Sequence, residues 1–477
     1  MRLKLNKLAQ IIGGELRGDA NKISLGVSTD SRTLKKGEVF FALKGERFDG
    51  HKFLKEAERK GACAGVVKRG YPASSVKNLP LIYVSDPLFA LGELARYWRA
   101  KMPVKVVAIT GSVGKTTTKE LCKLVLSQEF KVLTSPGNYN NLIGVPLTIF
   151  QLKPSHQILI LELATNSPGE IARLSDISQP EVGIITRIAG VHLEGLKDLD
   201  GVEKEKRALV SALGSRGCFI FNFTDLRLWR IAMGFAGKKI GFGLRGKKPV
   251  FADLFITALP SRLIEKDGIF WQSFKLKIAS GSKKPQVYPA KIQGAGKHLL
   301  ENALSAIACG LALGISPKKA VRALEKFTPL SGRGKLEKIS ERLWLLDESY
   351  NANPQSMSRA LETLELYARK LGLRKVLVLG DMKELGDWEK QAHIQLGREL
   401  ANSGFDRLFY LGEAQRWLAE GLKKRDLSRF YPAQSLKELK SILEPELALG
   451  GIFLVKASHI VGLGKVAEWI RERSNAL

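Results

Sequence analysis

Val104-Lys-Val-Val-Ala-Ile-Thr110, Gly111-Ser-Val-Gly114-Lys115-Thr116-Thr117, Thr118-Lys-Glu-Leu-Cys-Lys-Leu-Val-Leu126 is the stretch that decides the fold. It reads as a β-branched strand, a glycine turn and an amphipathic helix with Leu121, Leu124 and Val125 toward one side. Glycines let backbone N–H groups converge on an anion, and the helix N-terminus adds partial positive charge. Lys115 can reach the β- and γ-phosphates of a nucleotide, and the Thr116 hydroxyl can ligate Mg²⁺. Only Ser112 and Val113 separate Gly111 from Gly114, so the loop is shorter than the common G-x-x-x-x-G-K-[ST] form. An ordinary glycine-rich turn is the plain alternative, and the strand–loop–helix setting argues against it.

Outward from this loop, the chain reads as three blocks. At 477 residues it is long enough for about three domains. Residues 1–101 carry short strand-like runs, Val39–Leu43 and Leu81–Val84, closed by a helical stretch from Pro87 to Lys101. Residues 102–330 read as an α/β domain, with continuous apolar strands Ile158–Leu161 and Val182–Ile185 that imply a buried parallel sheet. Residues 250–292 are β-like and suit an antiparallel extension, and His298–Leu313 is a small-residue helix. Residues 331–477 hold strand candidates Leu343–Leu346, Val376–Leu379, Leu408–Leu411 and Ile452–Val455 with helices between, the pattern of a doubly wound sheet. The expected fold is α/β: a small N-terminal domain, a central P-loop ATPase-like sheet and a Rossmann-like C-terminal domain.

Composition narrows the class. Hydrophobic residues make up 44% and charged residues 26%, as in a soluble globular protein. No apolar run approaches the ~20 residues that span a bilayer, and Met1–Lys7 leads into no signal-like stretch, so a cytoplasmic protein is expected. Cys63, Cys122, Cys218 and Cys309 are scattered and suggest reduced thiols, not a zinc site. Lys and Arg number 76 against 47 acidic residues, a formal charge of +29. The basic clusters (Lys247-Lys248, Lys283-Lys284, Lys423-Lys424-Arg425) are short and lack interleaved aromatics, which reads as a solvated surface. The charge favours anionic substrates and weak contact with an anionic membrane face, with no nucleic acid expected.

Polar residues at strand ends carry the candidate chemistry. Glu162 ends a buried strand and can hold Mg²⁺ beside Thr116. His192 follows the next strand, where ligands of open α/β sheets gather; a structural role is equally open. Asn138-Tyr-Asn-Asn141 and Asn351-Ala-Asn353-Pro354 are amide-rich turns, for which plain Asx-turn chemistry is the stronger local reading. Asp347 and Glu348 could accept ribose hydroxyl protons or could belong to a helix cap.

Together these segments resemble the Mur ligases, ATP-dependent amide-forming enzymes of peptidoglycan precursor synthesis, over nearly the whole chain. Thr110–Thr117 is similar to the family's ATP signature. Gly137–Pro146, Asp347–Pro354 with Ser356-Met357, and Leu379–Gly386 resemble the branch that adds D-alanyl-D-alanine to UDP-N-acetylmuramoyl-tripeptide. The resemblance implies a monomer without an integral membrane segment, using ATP and two Mg²⁺ ions. It implies a UDP end held by Ser31, Arg32, Gly45, Asp49 and His51. Gly111, Ser112, Val113, Gly114, Lys115, Thr116 and Thr117 would cradle ATP, with Asn302 near adenine, Arg333 on phosphate, and Glu348 or its neighbour Asp347 on ribose. Thr116, Glu162 and His192 would serve the metals, together with Lys206 as a carbamate, Lys204 being the neighbouring register. Lys115, Lys206 and His192 would be the catalytic set. Asn138, Asn141, Asn351 and Asn353 would bind substrate, and the segments Asn351–Met357 and Gly380–Gly386 would set donor specificity.

Four positions depart from the family pattern. Leu299 and Arg187 each stand where Asn is usual, and Lys456-Ala-Ser-His459 differs twice from Lys-Gly-Ser-Arg. The alternatives are the preceding ligase, whose D-N-P-R motif is absent, a folylpolyglutamate-synthetase-like ligase, and a P-loop ATPase binding nucleic acid.

Overall fold

The computed structural model describes residues 1–45, 48–72, 74, 76–244, 250–259, 261–281 and 284–473. Lys247, Lys248 and Lys283 of the basic clusters lie outside the described residues.

Among the described residues three large sheets are strung along the chain, with a two-stranded pair, Leu3–Lys4 and Ile23–Ser24, at the N-terminus. The N-terminal sheet runs Glu15–Arg17, Leu81–Val84, Ala64–Lys68, Glu38–Phe41, Gly26–Ser28; its first pair is antiparallel and the rest parallel. Helix Pro87–Ala100, capped by Asp86 and opened by Pro87, closes it. Ala90, Leu91 and Leu94 of this helix join the N-terminal core, while Ala95 belongs to the core beneath the next sheet. The helix is therefore a shared wall, reinforced by Arg173–Glu93 at 2.8 Å and Arg99–Glu181 at 2.9 Å.

The central sheet has ten strands, with Lys105–Thr110 between Val182–Ile185 and Ile158–Glu162, all parallel. Its continuous apolar strands are buried on both faces, by helices Lys115–Leu126 and Lys297–Ala312 on one side and Glu170–Ser178 and Leu199–Ala212 on the other. The β-like stretch after residue 250 supplies Leu254–Ala258, still parallel, then three antiparallel strands Arg262–Lys266, Ile269–Ala279 and Gln286–Gln293.

The C-terminal sheet has six strands, two more than the sequence pattern picks out. Leu343–Asp347, Gly451–Lys456, Lys375–Gly380, Arg407–Leu411 and Phe430–Ala433 are parallel, and Lys335–Lys338 is an antiparallel edge. Lys335–Lys338 is short and polar, and Phe430–Ala433 is four residues long and interrupted by Pro432, so no continuous apolar run marks either. Among the described residues, no helix is long and apolar enough to cross a membrane. All four cysteines are buried and free.

Candidate active site

A cavity of about 500 Å³ lies between the central and C-terminal sheets, at the carboxyl ends of their parallel strands. The phosphate-type loop forms its floor. Gly111 (φ 145°) and Gly114 (φ 83°) take conformations that L side chains rarely adopt, and a Cβ on either would collide with Thr186 or Asn302. The loop is tied down from beside it: Ser112 N donates to Arg187 O at 2.8 Å, and Ser112 Oγ exchanges 2.8 Å hydrogen bonds with Ala189 O and N.

Lys115 folds back over the loop, its Nζ donating to Gly111 O at 2.7 Å. Loss of hydration pushes its pKa down, against the pull of Glu162, with Arg333 adding to the depression. Arg333 reaches in from the C-terminal side and stacks on the Tyr350 ring at 3.8 Å. Lys206 is 2% exposed, and burial, with Lys115 nearby, brings its pKa down to about 7. Among the described residues, none of these three cations forms an ion pair. Lys204, two residues earlier on the same helix, is exposed. Glu205 turns inward too, but it accepts from Gly169 N and Ile171 N at 2.7 Å and so caps the neighbouring helix.

Thr116 Oγ1 donates to Glu162 Oε2 at 2.8 Å in a buried position. Asn140 Nδ2 holds the other carboxylate oxygen at 3.0 Å. This pair is a hard-oxygen donor set of the kind Mg²⁺ takes. Among the described residues no group of three or more His, Cys, Asp or Glu is placed to hold a metal. His192, in the left-handed region (φ 53°), faces Glu384 Oε2 at 2.6 Å across the domain boundary. In this structure its partner is thus a carboxylate of the closing domain.

Asn138, Asn141, Asn351, Asn353, Asn302 and Glu348 all line the cavity. The turn chemistry is present as well: Asn141 Oδ1 accepts from Gly144 N at 2.8 Å, and Asn353 makes a reciprocal cap with Ser356. Glu348 Oε2 accepts from Lys456 Nζ at 3.3 Å. Asp347 corrects the expectation of a ribose contact. It is buried away from the cavity, and its oxygens accept from Gly332 N, Ser349 Oγ and Arg471 Nη2 at 2.9, 2.6 and 2.5 Å. It anchors the segment that enters the C-terminal sheet. Alternation along the strand turns Asp347 and Glu348 to opposite surroundings.

The N-terminal candidates stand apart from this cavity. Ser31 Oγ donates to Glu56 at 2.8 Å, and Arg32, 83% exposed, pairs with Asp30 at 2.7 Å. His51 Nδ1 meets Asp49 Oδ1 at 2.7 Å, while its Nε2 accepts from Lys68 N at 3.1 Å, which places the ring proton on Nδ1. Gly45 N donates to Phe48 O at 2.8 Å.

Sequence reasoning passed over Arg359, and it gave no individual role to Asn140, Glu384 or Lys456 within the segments it named; all four line the cavity. The departures from the family pattern have visible consequences. Arg187 meets Glu301 Oε1 at 3.0 Å, and Glu301 Oε2 meets Arg359 at 3.0 Å, an Arg–Glu–Arg bridge across the domain boundary. Leu299 is buried in the cavity wall. His459 packs edge-on to Tyr350 with centroids 5.8 Å apart, and Ala457 is fully buried.

Known proteins share this arrangement. Residues 25–99 match the model described as Mur ligase family, catalytic domain; residues 109–310 match the Mur ligase middle domain; residues 332–459 match the Mur ligase, glutamate ligase domain. The UDP-N-acetylmuramoyl-tripeptide--D-alanyl-D-alanine ligase of Bacillus subtilis is 31% identical, covering 97% of each chain. The solved UDP-N-acetylmuramoylalanyl-D-glutamyl-2,6-diaminopimelate--D-alanyl-D-alanyl ligase of Acinetobacter baumannii superposes with TM-score 0.82 at 29% identity, over 99% of each chain. MurF ligase of Thermotoga maritima in complex with ADP superposes with TM-score 0.79 at 25% identity, over 94% of this chain and 98% of that one.

Proposed function

The chain belongs to the Mur ligase family, and from that premise we propose that it is the ligase that joins D-alanyl-D-alanine to UDP-N-acetylmuramoyl-tripeptide with ATP. The observation that carries the reading is the cavity itself: a glycine cradle with two unpaired cations, Lys115 and Arg333, facing the amide-rich turns of the C-terminal domain, with Lys206 buried behind Lys115. An anionic nucleotide supplies the charge these cations lack.

The reaction has two steps. The tripeptide's terminal carboxylate attacks the γ-phosphorus, the bond to the bridging oxygen breaks, and ADP leaves an acyl phosphate. The dipeptide amine then attacks the acyl carbon, and phosphate departs from the tetrahedral adduct. A carboxylate is already nucleophilic, so the protein's part is to align the groups and offset their charge. Lys115 and Arg333 take the γ-phosphate from opposite domains. Asn302 lies on the adenine side, and Glu348 accepts from ribose. The closed cleft, bridged by His192–Glu384 and Arg187–Glu301–Arg359, excludes water that would hydrolyse the acyl phosphate.

Mg²⁺, when bound, screens phosphate charge and would be held by Thr116, Glu162, His192 and a carbamate on Lys206. With its pKa brought down to about 7 by burial, a substantial fraction of the Lys206 amine is neutral near neutral pH. The neutral amine can add to CO₂, forming an N–C bond and releasing a proton, which gives an anionic oxygen ligand at this position. Ser31, Arg32, Gly45, Asp49 and His51 mark the surface for the UDP end. The enzyme works as a cytoplasmic monomer.

The test is phosphate release with ATP, acceptor and donor, each omitted in turn, with the product weighed by mass spectrometry. Release that requires all three, with D-alanyl-D-alanine far better than a free diamino acid, is the expected result. Faster joining of a free diamino acid to the UDP-muramoyl dipeptide would assign the preceding step instead.

A further inference from the structure

The antiparallel end of the central sheet, strands Arg262–Lys266, Ile269–Ala279 and Gln286–Gln293, has two unlike faces. One face is taken up by packing. Phe274, Leu276, Ile278, Ala290 and Ile292 join the core beneath helix Lys297–Ala312. Phe270 meets Trp344 and Tyr367 of the C-terminal domain edge-on, with ring centroids 5.7 and 5.2 Å away. The other face continues the side that helices Glu170–Ser178 and Leu199–Ala212 cover farther along the sheet. Here it stays open, and accessible residues alternate with buried ones along Ile269–Ala279.

The open face carries charge of one sign. Strand alternation and register put Arg262, Lys266, Lys275, Lys277 and Lys291 on it, and no Asp or Glu. Glu265 falls on the opposite side and accepts from Gly268 N at 2.8 Å in the hairpin turn. Among the described residues Lys291 alone of the five cations has an ion pair, with Glu325 at 3.4 Å. Like charges on one sheet face repel one another, so the face favours a negatively charged surface.

Between the cations stand aliphatic residues, where a merely solvated face would be polar. Ile264 and Ile269, near the hairpin turn, are 48% and 39% exposed, and Val287 on the next strand is half exposed. Ile264 lies across from Trp271, and Lys291 Nζ sits 5.0 Å from the centre of that ring. A few half-exposed tips are too little apolar core for a specific protein interface, which buries about 800 Å² on each partner. One ring already met by a lysine offers no run of stacking surfaces to nucleic-acid bases. An anionic bilayer needs neither, since its headgroups meet cations at any spacing and its outer acyl region accepts short aliphatic tips.

We infer that this open sheet face is a docking surface for an anionic lipid bilayer, on which the chain lies without inserting a helix. The cations meet the headgroups, and Ile264, Ile269 and Trp271 reach the acyl boundary. None of these side chains lines the reaction cavity, so docking is separable from ligation.

The experiment is co-sedimentation of the full chain with vesicles of phosphatidylcholine alone and of phosphatidylcholine mixed with phosphatidylglycerol, at about 0.1 M salt. The chain should sediment with the mixed vesicles and not with the neutral ones. Lys266→Glu with Lys275→Glu should lower the partition coefficient by about tenfold or more, and Ile264→Ser with Ile269→Ser by about threefold or more. Lys424→Glu with Arg425→Glu, the same change of charge on the C-terminal domain, should stay within about twofold. Ligation should be unchanged in all three variants. No sedimentation with the mixed vesicles overturns the inference. So does an equal loss in the two charge reversals, which would make the chain's net charge the cause, and so does retention by single-stranded RNA in preference to the mixed vesicles.

Discussion

The cleft and the N-terminal sheet treat their polar residues in opposite ways. In the N-terminal set every side chain that the resemblance singles out has a partner: Ser31 with Glu56, Arg32 with Asp30, His51 with Asp49 and Lys68 N. In the cleft, Lys115 and Arg333 line one cavity and Lys206 is buried within reach of the Lys115 charge, with no carboxylate in ion-pair reach of the three among the described residues. Folding alone would favour pairing or losing such charges, because desolvated cations cost free energy. Their persistence marks where a ligand completes the electrostatics, whereas the N-terminal cluster is already complete and so contributes to stability.

The largest expected effect breaks the cleft side of this contrast. Lys115→Ala should fold and lose ligation by roughly 10³-fold or more, since a charge-stabilising contact in a closed site is worth ~3 kcal/mol or more. Steady-state phosphate release checks it, and near-normal turnover in a folded variant would remove Lys115 from the γ-phosphate.

Next in size is Lys206→Arg, which keeps the charge but cannot form the same carbamate. A loss of about 10²-fold or more is expected, while exposed Lys204→Arg should stay within about twofold. Mass spectrometry after trapping labelled CO₂ reads the modification directly. Equal behaviour of the two variants would place the carbamate elsewhere or nowhere.

Asp347 sharpens the contrast from within the C-terminal domain, because it is a buried charge whose partners are all present. Burial alone would raise its pKa, but the Ser349 and Arg471 contacts prevail and hold it below the usual carboxylate value. Its stabilisation is therefore complete above the unfolded value of about 4 and is lost as pH falls through the lower folded one. Asp347→Asn should cost about 2–4 kcal/mol at neutral pH and flatten the acid limb of the unfolding curve. Urea unfolding at pH 7 and pH 3 measures both, and an unchanged acid limb would mean that Asp347 is not its source.

What the sequence made legible follows the same physics. The phosphate loop was readable because Gly111 and Gly114 are forced by backbone geometry and the flanking strand and helix by periodicity. The buried parallel strands announced themselves as continuous apolar runs. The edge strands Lys335–Lys338 and Phe430–Ala433 did not, since the first is short and polar and the second is short and carries Pro432. Within the site, chain-local patterns brought out the turns and left single atoms open: Asn140 of the Asn138–Asn141 turn holds Glu162, and of the neighbours Glu348 and Asp347 it is Glu348 that lines the cavity. The Glu384–His192 and Arg359–Glu301 contacts were not legible because they arise only when two domains meet. Period-2 and period-3.6 patterns describe one element's faces, not the pairing of distant ones.

The most direct test is a paired measurement on two variants, Lys115→Met and His51→Ala: affinity for Mg·ATP by calorimetry, and thermal stability without ligand. Lys115→Met should weaken ATP binding by about 100-fold and leave ligand-free stability unchanged or higher, since it removes an uncompensated charge. His51→Ala should lower ligand-free stability by about 1–3 kcal/mol through its lost hydrogen bonds and leave ATP affinity unchanged. Unaltered ATP affinity in Lys115→Met, or a loss of stability there as large as in His51→Ala, would contradict the claim that the unmet charges of the cleft mark its ligand.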